Sequence, residues 1–211
     1  NTQSEQKEIT PEEKYRAEAQ ACFEKYGLYQ DEVPHSQVAA AVNHVGLRLL
    51  MVQDGEMKKK GGGAGCCVLS PVTVTTLLAA ISAGTMHGSK AGDEVNDLYG
   101  LPLNYPSCLL EVGEVMRQCI GQSDPMSSLQ MPLSIWIPTE IRKEYVDFVN
   151  ESLGVEVKRS YAEAEMNTWA ATRTNATIQE LFPSYAGTRL GGCMVGGGLV
   201  YRGCWSTGWA S

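Results

Sequence analysis

The sequence has few of the residues from which metal sites and catalytic centres are built. It contains three histidines, and its seven cysteines show no Cys-x-x-Cys spacing, the arrangement typical of zinc sites. His35 and His44 lie too far apart for a metal-binding pair on adjacent helical turns. Ser70 has no surrounding Gly-x-Ser-x-Gly motif and no histidine in a recognisable triad context. We therefore expect no metal, no cofactor and no enzymatic activity.

Positive charge and long apolar runs are also scarce. The formal net charge is −7 and the sequence pI is about 5.0, and the one basic run is 58–60, so a nucleic-acid partner is excluded. The longest helical apolar stretch, Leu77 to Ala83, contains Ser82 and ends at Gly84. A membrane-spanning helix needs about 20 apolar residues. We therefore expect a soluble protein with no transmembrane segment.

The composition that remains is typical of a folded domain. Apolar residues make up 43% of the 211 residues and charged residues 19%, values close to the globular average. The segment Thr10-Pro11-Glu12-Glu13 matches a capping box with proline in the first turn, which predicts a helix from about 11 to 26. Its apolar side chains recur at spacings of three and four and so share one face: Tyr15, Ala19, Cys22, Phe23 and Tyr26.

The rest of the pattern predicts helices first and then alternating strands and helices. Further helices are predicted at about 35–53, 71–83, 91–99, 106–121, 141–153 and 163–182. Short apolar runs predict strands at 66–69, 131–137, 155–157 and within the glycine-rich block 192–205. Residues 54–65 are predicted as a solvated loop. The strands are too far apart for hairpins, so the order favours an α+β fold in which non-adjacent segments pair.

Two residue patterns bear on covalent chemistry. Most cysteines are interpreted as small buried apolar residues, and Cys108 and Cys119 are placed on one face of the same helix. The triplets Asn150-Glu151-Ser152 and Asn175-Ala176-Thr177 match the acceptor sequence for N-glycosylation, a pattern that also arises by chance.

Three segments, in order along the chain, resemble the serpin family. Ser70-Pro71-Val72-Thr73-Val74 is similar to the family's Ser-Pro-x-Ser-Ile motif, which leads from a strand into a buried helix. The segments 166–169 and 174–178 resemble the Ile-Asn-x-Tyr/Trp helix and the Thr-x-Gly-Lys-Ile turn. Residues 199–205 resemble a strand that ends in Phe-Lys-Gly-x-Trp. The resemblance covers about 36–205, and its motif residues are Ser70, Pro71, Thr73, Asn167, Thr174, Gly203 and Trp205.

This resemblance implies a serpin-like α+β fold with an N-terminal helical region and part of a large central β-sheet. Residues 35–211 would form the N-terminal portion of that domain, and 1–34 an extension. It also implies a secreted inhibitor of serine or cysteine proteases, whose cleaved reactive-centre loop inserts into the sheet as a new strand. That loop falls outside these residues. The alternative is a non-inhibitory, intracellular or organellar scaffold subunit with neighbouring subunits as partners.

The sequence also departs from the family pattern. Gly197, within three adjacent glycines, and Cys66 stand where serpins commonly carry asparagines of a buried polar network. We expect Ser70 and Asn167 to lose partners, at about 1–3 kcal/mol for each orphaned group, and the glycines to indicate a relaxed sheet.

The early helix has no counterpart in the family pattern. We therefore expect Tyr15, Phe23 and Tyr26 to dock it on a partner subunit or on a site unique to this protein. Trp205 is expected to be largely buried at the top of a sheet, and Trp169 to pack under a helix that lies across that sheet.

Overall fold

A computed structural model describes residues 10–28, 33–59, 68–121, 127–160, 162–182 and 193–204. The helices in these ranges are α1 Pro11–Lys25, α2 His35–Lys59, α3 Pro71–Ala83, α4 Lys90–Tyr99, α5 Pro106–Ile120, α6 Lys143–Leu153 and α7 Glu163–Arg173. The strands are β1 Ser127–Gln130, β2 Leu133–Trp136, β3 Val155–Lys158, β4 Met194–Gly197 and β5 Val200–Gly203. The α+β expectation is confirmed.

Three extended segments of the chain form the sheet. β2 lies in the middle, parallel to β3 and antiparallel to β4, while β1 and β5 form a second antiparallel pair. The β1–β5 and β2–β4 pairs have the same register, since Gln130 lies opposite Val200 and Leu133 lies opposite Gly197. A hydrogen bond of 3.1 Å from Gly198 N to Pro132 O joins them. The two pairs are therefore successive parts of one long ladder, interrupted at Pro132, which has no N–H to donate.

The central strand β2 is buried on both faces. Leu133 and Ile135 point into the larger core, which is shared with α3, α5 and α6, whereas Trp136 packs with side chains of α7. This follows from the alternation of side chains along a strand. The sheet consequently lies between two helical layers, with α3 on one face and α7 on the other.

Helix α3 begins and ends as the sequence predicts. Ser70 caps its first turn, because the Ser70 hydroxyl accepts a hydrogen bond from Thr73 N, and Pro71 occupies the first helical position, where its missing N–H costs nothing. Small side chains such as Ala79 and Ala80 are fully buried. Their burial confirms that α3 is an interior helix.

Helix α1 also begins as predicted, but its apolar face is covered by this chain itself. Thr10 and Glu13 form the expected capping box. Phe23 is 0% exposed, and its ring meets the ring of Tyr105, at the start of α5, edge to face at 5.5 Å. Tyr26 donates a hydrogen bond of 2.7 Å to Asp97 of α4. Of the two expected docking sites, a partner subunit or a site unique to this protein, the structure places Phe23 on this chain itself. The side chain of Tyr15 lies outside the described part of the structure.

Two further predicted boundaries are wrong. Helix α2 continues through the predicted loop to Lys59, where the ion pairs Lys58–Asp54 at 2.6 Å and Lys59–Glu56 at 2.7 Å bridge adjacent turns. Residues 60–67 lie outside the described ranges. In the predicted strand 66–69, the described residues Val68 and Leu69 form no strand, and the Val68 side chain is 88% exposed. An apolar run forms a strand only where its backbone N–H and C=O groups find a neighbouring backbone.

No helix in the described ranges is long and apolar enough to cross a membrane.

Candidate functional site

The motif residues approach strand β4 from opposite faces of the sheet. Ser70 and Thr73 lie at the start of α3, and Asn167 and Thr174 lie on α7 or directly after it. Between them runs the glycine segment of β4, paired with β2. The candidate site is therefore a three-layer junction of α3, β4 and α7 rather than a catalytic cluster.

On the α3 face, the absence of a side chain at Gly197 lets the helix approach closely. A Cβ atom there would lie 2.8 Å from the methyl carbon of Thr73 and 2.8 Å from a methyl carbon of Leu133, distances that real Cβ atoms do not show. Ser70 Oγ accepts hydrogen bonds from Thr73 N at 3.3 Å and Thr73 Oγ1 at 2.8 Å. The expectation that Ser70 loses its partners is therefore wrong.

On the α7 face, Asn167 holds the segment that follows the helix. Its Oδ1 accepts hydrogen bonds from Leu181 N at 3.0 Å and Phe182 N at 2.9 Å, and its Nδ2 donates to Phe182 O at 2.9 Å. Asn167 therefore has partners on both ends of its amide, contrary to the sequence-based expectation. These three bonds seat the buried Phe182 ring over Gly196, where it would overlap a Cβ atom.

The three adjacent glycines thus serve close packing on both faces. Gly196 lies under Phe182, Gly197 lies over α3, and a Cβ at Gly198 would lie 2.7 Å from Ile178 Cδ1. A side chain at any of them would push a helix or its connecting segment away from the sheet. The interpretation of the run as a sign of a relaxed sheet is replaced by this packing role.

A tight turn ends α7 well before the predicted boundary at Phe182. The Thr174 hydroxyl donates to Ala170 O at 2.7 Å and accepts from Ile178 N at 2.9 Å. Asn175 and Ala176 follow with φ of 49° and 59°, in the left-handed region that a continuing helix cannot use. The buried Thr174 hydroxyl therefore bonds both to the last turn of the helix and to the first residues after it.

Side chains from β3 and β5 hold the C-terminal half of α7 and the turn that follows it. Glu156 accepts hydrogen bonds from Trp169 Nε1 at 3.1 Å and Arg173 Nε at 2.6 Å, and Lys158 lies 3.0 Å from its second oxygen. Arg202 Nη2 donates to Thr177 Oγ1 at 2.8 Å and to Thr174 O at 3.3 Å. The helix is thus fixed to the sheet by charge-assisted hydrogen bonds at two points.

The environment of Glu156 favours its ionised form. Burial acts to raise its pKa, but hydrogen bonds from Arg173, Lys158 and Trp169 outweigh burial and lower the pKa from 4.5. Ionised Glu156 therefore stabilises the attachment of α7.

Aromatic packing completes the attachment. Trp169 is buried, and its ring meets Trp136 edge to face at 6.1 Å. Trp136 Nε1 donates to Ser134 Oγ at 2.8 Å, which in turn donates to Gly196 O at 3.3 Å. The expected burial of Trp169 is confirmed, whereas Trp205 lies outside the described residues.

A family model described as serpin (serine protease inhibitor) matches residues 41–210. The chain belongs to the serpin family. No curated protein matches it significantly.

Several solved structures share its fold. The Arabidopsis serpin AtSerpin1 in its native stressed conformation is 17% identical, with a TM-score of 0.64 over 81% of this chain and 44% of that one. Serpin48 of the insect Tenebrio molitor is 19% identical, with a TM-score of 0.61 over 79% and 46%. Thyroxine-binding globulin in complex with thyroxine is 15% identical, with a TM-score of 0.53 over 65% and 39%. The chain spans less than half the length of each of these proteins.

Several sequence expectations for this serpin chain concern the cysteines. Cys108 is buried, and burial raises the pKa of its thiol to about 12. Cys119 is exposed although it lies on the same helix, and so are Cys193 and Cys204. The expectation of general burial is therefore wrong, although both Cys108 and Cys119 lie on α5 as expected. No cluster of metal-ligating side chains occurs within the described ranges.

A cleft that the sequence did not signal lies beside this junction. It has a volume of about 1020 Å³ and runs between the end of α3, the start of α5 and α6. Its walls are largely apolar and include Ile81 and Phe148, and Arg142 and Glu144 also line it. None of the motif residues lines it.

Proposed function

We propose that this chain supplies the N-terminal helices and part of the central sheet of a serpin-type inhibitor of serine or cysteine proteases. The observation that carries the proposal is the position of β4. It pairs with β2 on one side, with α3 beneath it and the α7 segment above it. Within the described residues no strand covers its other edge.

An unpaired strand edge presents free N–H and C=O groups to another strand. By family resemblance, serpin inhibition depends on insertion of the cleaved reactive-centre loop into the central sheet. The α7 segment would have to give way locally for any strand exchange beside β4, because Phe182 lies directly over Gly196. The anchors Glu156 and Arg202 are therefore proposed to set how readily the sheet rearranges.

The scaffold alternative rested on an α1 face free to bind a neighbouring subunit. Phe23 is buried within this chain, so that argument no longer favours it. Inhibition by way of the sheet is consequently the better-supported function.

The proposal is tested with the protein as its natural source produces it, incubated with a trypsin-like serine protease and a papain-like cysteine protease. We expect an adduct with one of them that survives a denaturing gel, and none with the 211-residue chain alone. The same protease with its active site chemically blocked is the control. An intact natural product that forms no adduct and does not slow either protease would contradict inhibition and favour the scaffold.

A further inference from the structure

Two N-glycosylation triplets occur in the sequence, and the structure places them in very different settings. Asn150 lies within helix α6, and Asn175 lies in the turn that follows α7. Both side chains are exposed. An acceptor asparagine is expected on a surface loop, where a bulky glycan meets no neighbouring element. The two positions can therefore be compared on backbone setting and on the environment of the hydroxyl residue.

The Asn175 triplet lies wholly on the surface. Asn175, Ala176 and Thr177 are all exposed, and the backbone at Asn175 has φ 49°, a conformation that asparagine tolerates better than most residues. Arg202 contacts this turn through Asn175 O at 3.4 Å and Thr177 Oγ1 at 2.8 Å. Its contacts leave the Asn175 amide nitrogen, the atom that carries a glycan, without a hydrogen-bond partner in the described part of the chain.

The Asn150 triplet is held inside regular structure. Asn150 O accepts the hydrogen bond from Gly154 N that ends α6. Ser152 is half-buried, and its carbonyl oxygen accepts a hydrogen bond of 3.1 Å from Arg117 of α5. The same oxygen lies so close to Gly113 that a Cβ atom there would overlap it. The backbone of this serine therefore packs directly against a neighbouring helix.

We propose that Asn175 is an N-glycosylation site of this protein and that Asn150 is not. The glycan would extend from the α7 face of the sheet, beside Arg202 and away from the larger core. This assignment does not depend on protease inhibition, because it uses only the exposed turn and its acceptor triplet.

The reaction requires a membrane-bound oligosaccharyltransferase and an oligosaccharide linked through pyrophosphate to a lipid. The amide nitrogen of Asn175 forms a bond to C1 of the first sugar as the bond from C1 to the pyrophosphate oxygen breaks. The lipid pyrophosphate leaves with the bonding electron pair, and the amide nitrogen loses one proton to a base of the transferase. No oxidant or reductant takes part.

The test is secretion of the chain from a eukaryotic host behind a cleavable signal peptide, followed by intact-mass measurement before and after peptide N-glycosidase treatment. We expect the parent and Asn150→Gln to carry one glycan that the enzyme removes, and Asn175→Gln to lose the whole mass increment. Thr177→Ser, which keeps the hydroxyl, should retain the glycan.

Peptide mapping of the parent locates the glycan without any variant, so a folding defect in Asn175→Gln does not obscure the result. A glycopeptide that contains Asn150 alone, or a parent chain with no glycan at either position, would overturn the assignment.

Discussion

At the scale of single residues, Glu156 makes most of the polar contacts between α7 and the sheet. Its side chain is 22% exposed, so water screens its contacts with Trp169 and Arg173 only in part. Its pKa is lowered because the hydrogen bonds it accepts outweigh the effect of burial. A carboxyl group with a lowered folded-state pKa stabilises the fold above its unfolded-state pKa. It loses that contribution as the pH falls through the folded value.

We predict that Glu156→Gln destabilises the chain near neutral pH by about 1–3 kcal/mol, the range for loss of a charged hydrogen-bond partner. The parent should lose this advantage as the pH falls through the lowered pKa of Glu156, so that the two proteins converge in acid. Urea denaturation from neutral to acidic pH, followed by tryptophan fluorescence, measures the difference.

Glu165→Gln is the matched control, because Glu165 lies on α7 but is exposed, and it should change stability by less than about 0.5 kcal/mol. Equal effects of the two substitutions at every pH would show that Glu156 does not anchor the helix.

At the scale of elements, α1 is the part of the chain that the family pattern does not explain and that the structure joins to the core. Ala19 and Phe23 are fully buried, and Leu28 is buried just beyond the helix. Asp97 of α4 accepts hydrogen bonds from both Lys25 and Tyr26. Burial acts first, and the Asp97 bond second, to raise the pKa of Tyr26 to about 12. Helix α1 is therefore held by apolar packing, with polar contacts at its C-terminal end.

We predict that Phe23→Ala lowers the free energy of unfolding by about 3–5 kcal/mol, as expected for loss of a fully buried phenylalanine. Leu47→Ala is the control, because Leu47 is a large apolar residue exposed on α2, and it should change stability by less than about 0.5 kcal/mol. Denaturant unfolding followed by circular dichroism gives both values. If Phe23→Ala unfolds like the parent, α1 contributes nothing to the core.

At the scale of the whole molecule, β4 and β5 lie at the border of the paired structure. Each pairs with another strand on one side only within the described ranges, and Val195, Leu199 and Tyr201 along this border are exposed. Uncovered strand edges with apolar side chains favour pairing with another chain. Solved serpins of the same fold are more than twice as long as the part this chain matches.

We predict that the 211-residue chain, prepared alone, associates with itself in a concentration-dependent way, and that Val195→Lys or Tyr201→Lys reduces this association. A charged side chain on an edge strand opposes pairing with a second chain. Light scattering after size-exclusion chromatography measures the mass across a concentration series. Met51→Lys, at an exposed position on α2, is the control. A chain that stays monomeric throughout, or an equal effect of Met51→Lys, would contradict the prediction.

Features of the fold that depend on neighbouring residues were predictable from the sequence. The capping box at Thr10 and Glu13 and the start of α3 at Ser70-Pro71 are confirmed, because capping bonds and proline geometry act within one helical turn. The order of elements and the motifs at Ser70 and Asn167 were sufficient to indicate the family. These local signals also gave the α+β class.

Features that depend on distant segments needed the tertiary structure. The end of α7 lies at Arg173 rather than Phe182 because the Thr174 hydroxyl closes a turn that Arg202 of β5 supports.

The packing of the three adjacent glycines at the end of β4 also depends on distant segments. They make room for Thr73 on one face and for Phe182 on the other, although all three look alike in the sequence.

The apolar face of α1 looked free because Tyr105, which packs against Phe23, is far away along the chain. The sequence by itself therefore determined where elements begin and which family they form, since those interactions are local. Only the tertiary structure decided which surfaces are covered and which polar groups are paired, since these depend on which distant segments meet.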